Sequence, residues 1–172
     1  MKKISVTNIT QAAIIAALYV VLTMIANGLG LANHAIQVRF SEALCVLPFF
    51  TTAAVPGLTI GCLIANIMTG AAIWDILFGS LATLIGAFGT YLLRKHKFLM
   101  TLPPVIANMV IVPLVLRYGY GFTWEYNGVD FSLPYFVTTV GIGEIISVCI
   151  LGSLLLKVLL PYKNIIFSSE AK

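Results

Sequence analysis

Glu42, Asp75 and Glu144 are carboxylates set in or beside long apolar runs, and Arg39, Asn66 and Asn108 are polar side chains in the same kind of setting. A polar or ionisable group in hydrocarbon is costly and needs a partner, so each is by default a candidate for function rather than for surface solvation. The chemistry open to this set is recognition. Carboxylates accept from N–H and ammonium groups, asparagine amides both donate and accept, and a guanidinium donates in a planar fork. Trp74, next to Asp75, and Trp124, in an aromatic-rich loop, add flat faces for stacking. Glu144 has the weakest structural explanation, because a mid-span carboxylate requires a donor and no basic residue is expected at its depth. The others have competing uses. Asp75 can cap a helix, Arg39 and Glu42 can form an interfacial ion pair, and Asn66 and Asn108 can hydrogen-bond between helices. His34 and His96 read as solvated loop residues.

Several chemistries are excluded. The chain has no G-x-x-x-x-G-K-[ST], so it cannot hydrolyse ATP through a P-loop, and no H-E-x-x-H zinc motif. It lacks a G-x-S-x-G element and a TVGYG filter. Cys45, Cys62 and Cys149 lie in apolar runs without CxxC or Cys/His spacing, which points to packing rather than to a metal or a disulfide framework. Neither a metal nor a cofactor is expected, and the chain is read as a non-enzyme.

The elements that must position these groups follow from composition. Of 172 residues, 60% are hydrophobic and 9% charged, against roughly 25% charged in soluble domains, and mean hydropathy is +1.03. This predicts an all-α polytopic integral membrane protein, residues 1–172 forming a single membrane domain. The expected spans are 8–27, 41–55, 57–73, 75–93, 98–116 and 134–160. The first is read as a retained helix rather than a signal peptide, since no A-x-A site follows it. No charge occurs from Ala43 to Trp74; as one helix that stretch would be about 48 Å long, too long for one crossing, so a break is expected at Pro56–Gly57. Charge parity agrees. Lys2 and Lys3 place the N-terminus in the cytoplasm, and six crossings put the basic run Arg94, Lys95, His96 and Lys97, with Lys157 and Lys163, on that same side. A plasma-membrane protein with both termini cytoplasmic is expected. The net charge of +4 belongs to this pattern and not to a nucleic-acid surface, where bases and aromatics would share a face.

The long outer loop 117–133 carries Tyr118, Tyr120, Phe122, Trp124, Tyr126 and Phe131, and Asn127–Gly128 within it predicts a short hairpin near residues 122–132. These aromatics suit an interfacial belt or a lid over a pocket. By this topology most of the polar candidates lie in the outer half of the membrane, converging from several helices on one site. At the opposite end of the first helix, Ala12, Ala13, Ala16 and Ala17 form a smooth face, and Gly57, Gly61 and Ala65 do the same on the third. Such small-residue faces allow close helix approach.

The stretches Val38-Arg39-Phe40-Ser41-Glu42-Ala43-Leu44, Pro56-Gly57-Leu58 with Gly61-Cys62-Leu63-Ile64-Ala65-Asn66-Ile67-Met68-Thr69-Gly70, and Trp74-Asp75-Ile76 with Phe78-Gly79-Ser80-Leu81-Ala82-Thr83-Leu84 resemble the QueT family. These are substrate-binding S components of energy-coupling factor transporters. The resemblance covers essentially the whole chain and is most specific over residues 38–84. It implies six helices and an outward-facing small-molecule pocket. It further implies a helix-one alanine motif docking on a module of one transmembrane coupling subunit and two ATPases, and a 7-deazaguanine substrate, preQ0 or preQ1. On the physical reading above, Arg39, Glu42, Asn66, Trp74, Asp75, Asn108, Trp124 and Glu144 are the expected ligand contacts, and Ala12, Ala13, Ala16 and Ala17 the expected coupling contacts. Two other readings compete: an S component for a different vitamin or base, and a membrane scaffold in which the polar groups only bind helices together.

Overall fold

The computed structural model describes residues 6–31 and 38–167. Lys2, Lys3, His34 and Glu170 lie outside the described residues. Helix α1 (Val6–Gly28) is followed by a 3-10 helix (Phe40–Phe49), α2 (Ala54–Met68) and α3 (Ile73–Leu92). Next come α4 (Leu102–Leu114), the short strands β1 (Glu125–Tyr126) and β2 (Val129–Asp130), α5 (Ser132–Glu144), α6 (Gly152–Leu159) and the single turn α7 (Lys163–Ile166). A π-helical turn, Val115–Gly119, extends α4, and another, Ile145–Leu151, joins α5 to α6. The expected hairpin is present, with Tyr126 opposite Val129 and Asn127 and Gly128 both at positive φ, the signature of a two-residue turn.

The outer surface is apolar where that of a soluble protein is polar. On α1, Ile14, Leu18, Val21 and Ile25 recur every three or four residues and are all exposed, while Thr23 on the same helix is buried. Elsewhere Glu42, Thr51, Asn66, Asp75, Asn108 and Glu144 are buried. An apolar exterior, with these polar groups held inside an otherwise apolar core, fits hydrocarbon as solvent. Four helical stretches are long and apolar enough to cross a bilayer: Val6–Gly28, Ile73–Leu92, Leu99–Gly119 and Ser132–Ile166. The multi-pass, all-helical class expected from composition is therefore what the chain forms.

The second and third expected spans are shorter than predicted. A ten-residue 3-10 helix rises about 20 Å, and fifteen α-helical residues about 22 Å. The break falls at residues 50–53 and not at Pro56–Gly57. Pro56 sits in the first turn of α2, where a missing N–H costs nothing. The chain turns instead at Thr51, whose hydroxyl accepts from the Ala53 N–H at 3.2 Å and donates to the Gln11 Oε1 at 2.9 Å. The 3-10 helix is the core of the bundle. Ser41 through Pro48 are all buried, and α1, α3, α6 and the second π turn surround it.

Side-chain pairings set the direction of each element. Thr23 meets Ser41, Tyr19 meets Glu42 and Gln11 meets Thr51, so the 3-10 helix runs antiparallel to α1. Helix α2 then returns parallel to α1, at a seam without room for side chains. A Cβ on Gly57 would stand 2.7 Å from the Ala12 carbonyl oxygen, and one on Gly61 2.7 Å from the Tyr19 Cβ. Asn66 against Asp75, Thr90 against Met100 and Arg117 against Asp130 make α3, α4 and α5 successively antiparallel. One end of the bundle thus gathers the C-termini of α1, α2 and α4, the N-termini of α3 and α5, and the hairpin. The other carries Arg94 to Lys97.

Candidate ligand-binding pocket

At the hairpin end a cavity of about 340 Å³ opens between α1, α2, α3 and α4. Its size lies in the usual range for small-molecule sites, roughly 300–1,000 Å³. Arg39, Asn66 and Asp75 line it together with Thr23, Asn27 and Thr69. Each is held by local chain chemistry. Helix α2 ends in a Schellman turn: Gly70 takes φ +70, and the Ala71 N–H bonds the Asn66 carbonyl at 3.0 Å. That turn forms one wall. The Asn66 amide donates to the Asp75 carbonyl oxygen of α3 at 3.2 Å. Gly79, one turn along α3, leaves the room for this: a Cβ there would lie 3.2 Å from both the Asn66 Nδ2 and the Asp75 Oδ1.

Asp75 lies in the first turn of α3, where the helix dipole favours a carboxylate. The Tyr120 hydroxyl accepts from the Ala72 N–H at 3.0 Å and donates to the Asp75 Oδ2 at 3.4 Å, tying the loop after α4 to the start of α3. Arg39, at the extended residue before the 3-10 helix, faces the Asp75 Oδ2 at 3.9 Å. The spacing is too long for a tight fork, so both charges retain bonding capacity toward the cavity.

Arg39 and Val112 also border a neighbouring recess of about 20 Å³ on the side of α5, lined further by Asn108, Val140 and Glu144. The Asn108 amide lies against the Glu144 carboxyl. Glu144 Oε2, though buried, has no hydrogen-bond partner among the described residues, and neither has Ser147 Oγ, three residues further on the same helix. The second π turn begins directly after Glu144, a departure from α-helix that often marks functional sites. Among the described residues no span carries a basic residue at the depth of Glu144, but Arg39 borders the same recess from the rim, as long basic side chains can.

Five of the expected contacts therefore converge: Arg39, Asn66, Asp75, Asn108 and Glu144. Three do not. Glu42 is 2% exposed and turned into the core, where the Tyr19 hydroxyl and the Cys45 thiol donate to its two oxygens. Trp74 faces outward beside Phe78 and lines an apolar groove between α3 and α4. Trp124 stacks on Tyr135 at 4.9 Å in the hairpin region, away from the cavity. The aromatic faces that do line the cavity are Tyr120 and Phe122, stacked on each other at 5.4 Å, with Gly121 at φ +70 making the turn between them. Their loop was legible as a possible lid, but alternation of aromatics did not reveal which would turn inward.

The alanine face divides. Ala12 and Ala16 pack on Gly57 and Gly61 of α2, whereas Ala13 and Ala17 are exposed. Ala12, Ala13 and Ala16 also border a surface groove with Asn8, Pro56 and Ile60 at the end away from the cavity.

A polar pocket at one end of an apolar helical bundle defines a polytopic membrane protein with a cavity of the size of a small-molecule site. The chain matches the family described as QueT transporter over residues 9–161 and belongs to it. A relative in Lactococcus lactis subsp. cremoris (strain MG1363), named queuosine precursor transporter QueT, is 39% identical over 98 residues. That alignment covers 56% of this chain and 57% of the relative, so it spans little more than half the relative's length. No solved structure matches.

Proposed function

We propose that this chain is the substrate-binding subunit of an energy-coupling factor importer, taking up a 7-deazaguanine precursor of queuosine from outside the cell. Family membership supports transport of such a precursor. The pocket supports the class of ligand. A deazaguanine offers an N–H and an exocyclic amine side by side, which one carboxylate accepts together, and Asp75 is so placed. Its carbonyl edge suits the Arg39 guanidinium, its remaining edge polar atoms suit the Asn66 and Asn108 amides, and its bicycle suits the Tyr120 and Phe122 faces. The convergence of Arg39, Asn66 and Asp75 beside stacked aromatics carries the reading.

The chain carries no P-loop of its own, and the family resemblance implies that a separate module, a transmembrane coupling subunit with two ATPases, powers import. The exposed alanines Ala13 and Ala17, with the adjoining groove at the end away from the pocket, are the contact proposed for it. With the termini and Arg94 to Lys97 cytoplasmic, the pocket faces outward and this groove faces in.

Calorimetry of the purified protein against a panel of deazaguanines, purines and vitamins tests the substrate. Saturable binding of a deazaguanine in preference to guanine and the vitamins is expected. Preference for an unrelated vitamin would reassign the substrate, and binding of nothing in the panel would favour a scaffold.

A further inference from the structure

Beyond the base itself, the recess next to Glu144 has the character of a separate subsite. It shares Arg39 and Val112 with the lining of the main cavity, and about 20 Å³ admits one group the size of a water molecule. It ends on a carboxylate oxygen that is buried and unbonded, on a residue 8% exposed. A buried acceptor without a donor is costly, and no described side chain supplies one. Asn108 meets Glu144, leaving Oε2 free. The charge balance points the same way. Asp75 and Glu144 face the cavity and its recess against the single guanidinium of Arg39, and Glu42 lies behind, already bonded to Tyr19 and Cys45. One further positive charge would balance the lining. The missing partner is a small cation that donates hydrogen bonds.

We infer that the Glu144 recess receives an alkylammonium substituent of the ligand, so that the protein selects a deazaguanine bearing an aminomethyl group over one bearing a nitrile. This rests on the deazaguanine reading and adds to it the residue that discriminates between precursors. An ammonium has the size of a water molecule and three donors, and it can reach Oε2 at the end of a one-carbon arm. A nitrile nitrogen is an acceptor and would face another acceptor. An unsubstituted ring would leave Oε2 unbonded.

The experiment is calorimetry on the intact protein and on Glu144→Gln, with three ligands: 7-aminomethyl-7-deazaguanine, 7-cyano-7-deazaguanine and 7-deazaguanine. For the unaltered protein the aminomethyl base is expected to bind at least about tenfold tighter than either other ligand. A drop of about thirtyfold or more is what losing one partner of a buried charged pair produces. Glu144→Gln should weaken the aminomethyl base by that factor and leave the other two within about threefold. The intact protein alone suffices to overturn the inference, through equal or tighter binding of the nitrile. Equal weakening of all three ligands by Glu144→Gln would move Glu144 to the ring edge, overturning the subsite while leaving the proposed function standing. Binding of none of the three by the intact protein would overturn both.

Discussion

Glu42 shows how far a buried carboxylate can be taken from ligand chemistry by its neighbours. It lies in the same apolar context as Glu144, yet the Tyr19 hydroxyl and Cys45 thiol satisfy both of its oxygens, and what it stabilises is the junction of α1 with the 3-10 helix. Tyr19 is 1% exposed, so its hydroxyl is shut off from water. Tyr19→Phe removes the donor and leaves one Glu42 oxygen unpaired, at a cost of about 1–3 kcal/mol. Thermal unfolding in detergent should show a clear loss of stability, with ligand affinity in the remaining folded protein nearly unchanged. A large loss of affinity at unaltered stability would instead return Glu42 and Tyr19 to the binding site.

At the scale of elements, the α1–α2 seam and the hairpin make separable predictions. Ala16 backs directly onto Gly61: a Gly61 Cβ would lie 2.9 Å from the Ala16 carbonyl oxygen. Ala16→Trp should therefore force the two helices apart and destabilise the protein. Ala13, three residues earlier and about 60° round the helix, is exposed. Ala13→Trp should leave stability and ligand affinity intact and abolish uptake, read by transport of labelled precursor beside co-purification of the ATPases. Retained uptake in Ala13→Trp would remove that face from coupling.

The hairpin is held by Asp130, which accepts from the Ser132 hydroxyl and from its N–H at 2.9 Å and pairs with Arg117. Hydrogen bonds from Ser132, then the Arg117 charge, hold this carboxyl below the usual aspartate range. A depressed folded value means that its stabilisation is present above the unfolded value, about 3.9, and is lost as pH falls through the folded one. Trp124 bonds Ser132 through its N–H at 2.7 Å and so reports on the site. Its fluorescence should change on acidification below about pH 4 and should be flat over the same range in Asp130→Asn. An unchanged signal in the unaltered protein down to about pH 2 would show that the hairpin does not depend on this carboxylate.

For the whole molecule, the directions of the helices place both described chain ends and Arg94 to Lys97 together, opposite the pocket and hairpin. Basic residues accumulate on the cytoplasmic side, so the orientation proposed for the molecule turns the pocket outward. A cysteine introduced at the exposed position 96 should resist an impermeant thiol reagent applied to intact cells, and one at exposed Asn127 should react. Cys45 and Cys62 are buried and contribute little background. The opposite labelling pattern would invert the molecule in the membrane and make the pocket a cytoplasmic one.

Sequence alone determined the all-helical membrane class and singled out five polar residues that line the cavity or its neighbouring recess. Apolar runs dictate helices wherever backbone groups cannot reach water, and a polar side chain set in such a run must find a partner. Those rules act on single segments and need no partner helix to be known. The tertiary structure decided which polar groups were already satisfied. Glu42 is turned away from the cavity, because Tyr19, twenty-three residues earlier, meets it across a helix contact. Tyr120 and Phe122 line the cavity in place of Trp74 and Trp124, because the turn at Gly121 and the anchoring of Tyr120 to Ala72 and Asp75 set which aromatic faces look inward. The break at Thr51 rather than Pro56 likewise depended on a bond to Gln11 on another helix. Each of these depends on contacts between distant segments, where hydropathy and spacing along one segment carry no signal.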